Sequence, residues 1–151
     1  MDAIDTHILS SLQKDGQMSM ARLSEMIGLS LSACHRRVKI LESTGKISGY
    51  AARLDRTAVG LELQVFIEVK LFSQQKSDIA AFEQAIANMP EVLECHLISG
   101  EFDYLIRVAA RNARDFETLY RNRLSEIPSV AHIKTLLSLS TVKEFRGYYL
   151  G

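Results

Sequence analysis

Between residues 19 and 45 the chain spells out two short helices on a glycine turn, and few folds accommodate that arrangement. Ser19 suits an N-cap, because its hydroxyl can accept from backbone N–H groups that a helix start leaves unpaired. Leu23 and Ile27 follow four apart on one face. Gly28 falls where the chain must enter the left-handed region, which only glycine does cheaply. Ser30 then caps a second helix in which Cys34, Val38 and Leu41 make an inward stripe, and Gly45 closes it. The other faces of that helix carry Ser32, His35, Arg36, Arg37 and Lys39. A polar, basic outer face on the second helix of such a pair is the form of a helix-turn-helix that reads the DNA major groove. A helical hairpin with a merely solvated charged face is the rival reading.

Charge distribution favours DNA more than total charge does. The formal net charge of the 151-residue chain is zero, which argues against non-specific nucleic-acid binding. Residues 30–46 nevertheless hold Arg36, Arg37, Lys39 and Lys46 against Glu42 alone, a local +3 on the candidate reading helix. A local basic stripe in a weak global field suits a specific binder that gains affinity from a second subunit.

Upstream, Ile4, Ile8, Leu9 and Leu12 repeat at helical spacing behind a cap at Asp2 or Asp5, and Lys14-Asp15-Gly16 ends that helix. A three-helix core therefore closes near Gly45, followed by a short extended segment at Ile47-Ser48-Gly49-Tyr50. Residues 1–50 form the helix-turn-helix (winged-helix-like) domain in this reading. The poorly periodic residues 51–61 form a linker.

From Leu63 the period changes to two, with Leu63, Val65, Ile67, Val69 and Leu71 alternating with Gln64, Phe66, Glu68, Lys70 and Phe72. A helix capped by Ser77-Asp78 follows, running through Phe82 to Met89. Strands at 92–99 and 103–109 meet at a turn on Gly100, a second helix spans 113–127, and the last strand spans 130–141. The only two prolines, Pro90 and Pro128, each stand between a helix and a strand, so the half repeats strand–helix–Pro–strand. Two such units make β-α-β-β-α-β, a ferredoxin-like sandwich over residues 62–151. The fold class is therefore α+β. The helices cover one sheet face; the other keeps Phe66 and Phe72 and calls for a cover, most simply the same face of another copy, which gives a homodimer.

Several stretches resemble the Lrp/AsnC (leucine-responsive, feast/famine) family of transcription regulators at the family's spacing. They are Ile4-Asp5-Thr6-His7-Ile8-Leu9, Leu12-Gln13-Lys14-Asp15-Gly16, Gly28-Leu29-Ser30 and Arg36-Arg37-Val38-Lys39-Ile40-Leu41-Glu42. Gly45-Lys46-Ile47-Ser48-Gly49-Tyr50 and residues 94–104, including Gly100-Glu101-Phe102-Asp103-Tyr104, continue the match into the second half. The resemblance implies dimers through the sandwich, often built into octamers, and a small effector, usually an amino acid, bound between sandwiches. It implies control of genes for amino-acid metabolism or transport. The rival is a DNA-architectural protein without a significant effector response.

Candidate DNA contacts are Ser30, Ser32, Ala33, His35, Arg36, Arg37, Lys39 and Lys46. Arg36 is the best base reader, since a guanidinium spans the two acceptors of guanine, while Arg37, Lys39 and Lys46 suit phosphates. The resemblance makes residues 97–104 the rim of an effector site, with Leu97, Ser99, Gly100, Glu101, Asp103 and Tyr104 as candidates. There the Glu101 or Asp103 carboxylate would meet an ammonium, and Thr135, Leu136 and Ser138 of the last strand would line the same region. For Tyr104 simple filling of the sheet is an equal reading.

No cofactor, metal or catalysis is expected. His7, His35, His96 and His132 share no ligand spacing, no Cys-x-x-Cys occurs, and neither a phosphate loop nor a nucleophile elbow is present. The acidic start, Met-Asp-Ala-Ile-Asp, is no signal peptide, and no run is long enough for a membrane span. Cys34 and Cys95 read as buried thiols in a cytoplasmic protein. Double-stranded DNA, an amino-acid effector and further copies of this chain are the expected partners.

Overall fold

The computed structural model describes Met1–Gly151, and the chain divides into two compact units. One comprises Met1–Arg53 together with Val142–Gly151, the other Leu54–Thr141.

The first unit is built on helices α1 (Ala3–Lys14), α2 (Met20–Ile27) and α3 (Leu31–Ser43). Each start is capped from the sequence. Asp2 accepts from the Asp5 N–H at 2.8 Å, while Asp5 accepts from the Asp2 N–H at 3.4 Å, a reciprocal capping box. Ser19 accepts from the Arg22 N–H (3.2 Å) and Ser30 from the Ala33 N–H (3.3 Å). Gly28 turns the chain between α2 and α3 at φ 73°, the left-handed conformation its position calls for. Ile8, Leu12, Leu23, Cys34, Val38 and Leu41 are buried together, so the apolar stripes of three helices meet in one core. No strand forms in this unit, and residues 48–53 run as irregular backbone after α3.

By its contacts Val142–Gly151 groups with the helical unit. Its attachment is a side-chain amide imitating a neighbouring strand: Gln13 Nε2 donates to the Tyr148 carbonyl (3.1 Å) and the Tyr148 N–H donates back to Oε1 (2.6 Å). Arg53 adds a bond to the Phe145 carbonyl at 3.2 Å.

The second unit runs β1 (Leu63–Leu71), α4 (Lys76–Ala87), β2 (Val92–Leu97), β3 (Tyr104–Ala110), α5 (Ala113–Asn122) and β4 (Val130–Leu137). The sheet is antiparallel with order β2-β3-β1-β4, the ferredoxin-like β-α-β-β-α-β topology. Val65, Ile67 and Val69 of β1 and Ile106 and Val108 of β3 face Phe82 and Ile86 of α4 and Leu119 of α5 across the core. Glu68 of β1 lies between Leu105 of β3 and Lys134 of β4, and Phe66 between Arg107 and Leu136, on the opposite face.

Three local features depart from the sequence expectation. α4 starts ahead of the expected Ser77-Asp78 cap, with Gln75 at the cap position and no side-chain cap bond. The expected cap, Asp78, instead accepts from the Ser73 and Ser129 hydroxyls inside the first turn. The last helix breaks at Arg123 and resumes as a 3-10 turn, Leu124–Glu126. Leu119 and Leu124 on either side of the break are both buried. Cys34 is fully buried, and desolvation pushes its thiol up, whereas Cys95 is only half-buried on β2; both are free.

Phe82 is fully enclosed, and its ring lies 4.4 Å from that of Tyr104. Phe82→Ala is therefore expected to cost about 3–5 kcal/mol. In urea titration the midpoint should fall without a change in m-value.

Candidate DNA interface and effector site

Helical geometry divides α3 into three faces. Cys34, Val38 and Leu41 point into the core. Ser32 and Arg36, one turn apart, stand on the opposite side with Lys39 and Ser43 continuing the stripe, and all four are exposed. His35 is exposed on the flank, Ala33 is half-buried, and Lys46 is exposed beyond the helix end. Ser30 is exposed, but its hydroxyl serves the helix cap. Lys39 pairs with Glu42 at 2.8 Å, and the Tyr50 hydroxyl donates to the same carboxylate at 3.1 Å; the Lys39 bond holds that carboxyl below its ordinary range. Arg36 makes no ion pair, so its guanidinium is the uncompensated one on the outward stripe.

Arg37 corrects the sequence reading. Its Nη1 lies 2.7 Å from Asp2 Oδ2 and 2.8 Å from Asp5 Oδ1, on the α1 side of the helix. A phosphate contact by this cation, shared by two carboxylates in the free chain, would have to replace those bonds. Adjacent residues on a helix lie 100° apart, so Arg36 and Arg37 face different surroundings despite being neighbours in sequence.

In the sandwich the expected effector residues also divide. Asp103 is 8% exposed and already engaged: one carboxylate oxygen accepts from the Leu71 N–H at 2.8 Å, the other from Lys70 (3.2 Å) and Gln74 (3.1 Å). The Leu71 bond first, then Lys70, hold this carboxyl below its ordinary value. It is thus no free acceptor for a ligand ammonium. Tyr104 is 2% exposed, packs on Phe82 and donates its hydroxyl to Glu83 at 2.8 Å. Burial, then Glu83, push the phenol well up, and its place is in the core rather than on a site rim.

Leu97, Ser99, Gly100 and Glu101 remain exposed around the β2–β3 turn. Thr135 and Leu136 pair with Ile67 and Phe66 on the far edge strand, and the Ser138 N–H donates to the Gln64 carbonyl. β2 and β4 are opposite edges of the sheet, so Leu97 stands apart from Thr135 and Leu136 within one chain. The same order separates His96 from His132. The sandwich's cleft of about 390 Å³ lies elsewhere, between Glu91, the end of β3 and α5. The sequence reading missed Phe102 and Lys134: the Lys134 ammonium sits 5.5 Å over the Phe102 ring and 2.9 Å from Glu68. Glu68 and Lys134 are cross-strand neighbours, a relation that only the strand register reveals.

The model of the Lrp/AsnC ligand binding domain matches residues 64–148, and that of a winged helix-turn-helix DNA-binding domain matches residues 1–48. The chain belongs to the Lrp/AsnC family. Members are DNA-binding transcriptional regulators, not enzymes. The chain is 36% identical over 144 residues to the proline dehydrogenase transcriptional activator of Rhizobium radiobacter, covering 95% of this chain and 92% of that one. To the Bkd operon transcriptional regulator of Pseudomonas aeruginosa it is 37% identical, with 94% and 93% covered. A Neisseria meningitidis transcriptional regulator solved as a complex with L-Met superposes with a TM-score of 0.91 at 33% identity, covering 95% and 93% of the two chains. No helix of this Lrp/AsnC member is long and apolar enough to cross a membrane.

Asp103 gives the sandwich an acid dependence of defined sign. A carboxyl held below the ordinary value of 3.8 releases its proton more readily in the folded state than in the unfolded chain. Its stabilisation is complete above that value and is lost as the pH falls through the lower folded value. Asp103→Asn is expected to cost about 1.5–3 kcal/mol at neutral pH. The variant should also lose this part of the acid slope, as read from urea midpoints across the acid range.

Proposed function

We propose that this chain regulates genes of amino-acid metabolism or transport by binding DNA sequence-specifically as a homodimer, and that an amino acid tunes the binding. The observation that carries the proposal is the outward stripe of α3, Ser32–Arg36–Lys39, with Arg36 free of any acidic partner. Ser32 and Arg36 near the helix start suit base edges; Lys39 and Lys46 suit phosphates.

Dimerisation is supported by the sheet face that carries Phe66, Leu105 and Leu136, with Phe72 78% exposed beyond the end of β1. Covering such a face with its own copy is the economical symmetric solution. Placement of the effector follows from the division of the candidate residues. Leu97, Ser99, Gly100 and Glu101 of one copy, with Thr135, Leu136 and Ser138 of another, would enclose a ligand between sandwiches, with the Glu101 carboxylate for its ammonium. Assembly beyond the dimer, to an octamer, would supply such junctions. The L-Met in the Neisseria structure and the proline dehydrogenase activator among the relatives support an amino-acid effector and amino-acid genes. A regulator that binds the chromosome would work in the cytoplasm.

The testing experiment titrates the protein onto its own upstream DNA and onto a shuffled duplex, with and without pooled amino acids. Preference for the upstream fragment, shifted by the pool, is the expected result, with half-sites about 10 bp apart or a multiple of that. Preference indifferent to the pool would remove the effector from the proposal. Equal binding to both duplexes would favour an architectural protein. Arg36→Ala should cost about 1–3 kcal/mol and relax base preference at one position, as read by binding to a panel of single-base variants.

A further inference from the structure

We infer that Arg37 is a positioning residue that sets the orientation of the reading helix α3 on α1, and that it grips neither base nor phosphate; the inference rests on the DNA-regulator reading. The geometry is that of a socket prepared before the arginine arrives. Asp2 Oδ1 and Asp5 Oδ2 are committed to the capping box, accepting from the Asp5 and Asp2 N–H groups. That leaves Asp2 Oδ2 and Asp5 Oδ1 aimed at one point, where Arg37 Nη1 sits at 2.7 and 2.8 Å. Because the helix start fixes both carboxylates, the arginine docks without immobilising two free side chains, the loss that weakens most surface ion pairs. The side chains of Asp5, Arg37 and Asp2 are 18%, 31% and 51% exposed, so water and salt screen the Asp5 contact in part and the Asp2 contact more.

The rest of the α1–α3 contact is different in kind. Ile8 and Leu12 pack with Cys34, Val38 and Leu41, and no other hydrogen bond joins the two helices. Apolar contact is non-directional and tolerates a small rotation or slide of one helix on the other. A charge-assisted bond to two fixed oxygens does not. A rotation of α3 about its own axis would move Arg36 and Ser32 around the helix by the same angle. The ion pair on one side of the helix therefore sets where the base reader on the other side points.

The test compares the intact chain with two variants, Arg37→Gln and the double substitution Asp2→Asn with Asp5→Asn, in which asparagine preserves the caps. Each protein is titrated onto its own upstream duplex and a shuffled duplex over a series of salt concentrations. Circular dichroism at the assay temperature gives the folded fraction. Both variants are expected to lose about tenfold in the ratio of upstream to shuffled affinity, the equivalent of one misplaced base contact. For Arg37→Gln the salt slope should stay that of the parent. A slope shallower by about one on both duplexes would overturn the inference, because it marks a lost phosphate contact. Tighter binding by the Asn variant with its ratio intact would do the same, since a phosphate-gripping arginine would have been released. An equal loss on both duplexes that follows the folded fraction would reduce Arg37 to a stabilising role and equally overturn it. A parent protein that does not distinguish the two duplexes would overturn the regulator reading itself, whereas a discriminating parent with discriminating variants overturns only this inference.

Discussion

The C-terminal unit depends on one strand being paired along both of its edges. β1 holds β3 on one side and β4 on the other, and its Val65, Ile67 and Val69 are entirely buried against the two helices. With a side-chain period of two, that inward set fixes the outward one, so Phe66, Glu68 and Lys70 cannot move inward without a slip that would expose the core. Everything offered to a second copy or to a ligand is hung on that register: Leu136 stands beside Phe66, Lys134 beside Glu68, and the β2–β3 turn is closed by Asp103 on the end of β1.

The helical unit solves a related problem, in which one short helix must be bound to its own protein on one side and free for a partner on the other. α3 manages this by distributing chemistry around its axis: apolar groups toward the core, an acid-bound arginine toward α1, and exposed polar and basic groups toward solvent. Charge alone does not distinguish the last two, since Arg36 and Arg37 differ only by the direction that one residue of helix turns them.

That difference marks the boundary of what local pattern conveys. The caps at Asp2, Ser19 and Ser30, the glycine turn and the two prolines name their elements because each acts through bonds spanning a few residues, and the β-α-β-β-α-β order follows from them. The strand order follows as well, with Leu97 and residues 135–137 on opposite edges, while the resemblance groups residues 135–138 with residues 97–104 as one site. Arg37 reads as a phosphate ligand, and Glu101 or Asp103 as an ammonium acceptor, because each is charged and sits in a motif of the right type. The partners that Arg37 and Asp103 take in the folded chain, 35 and 32 residues away, lie outside any local pattern. The Gln13 clasp on Tyr148, spanning 135 residues, leaves no local trace at all.

That clasp changes how the chain as a whole is connected. Its path leaves the helical unit after Arg53 and returns to it at Val142, so in topological terms the sandwich is a domain inserted into a loop of another domain. Cutting the backbone at residues 54–61 would leave the halves joined through residues 138–141 and the tail. The same connectivity makes the last ten residues part of the DNA-binding unit's own fabric, although they lie farthest from it along the chain.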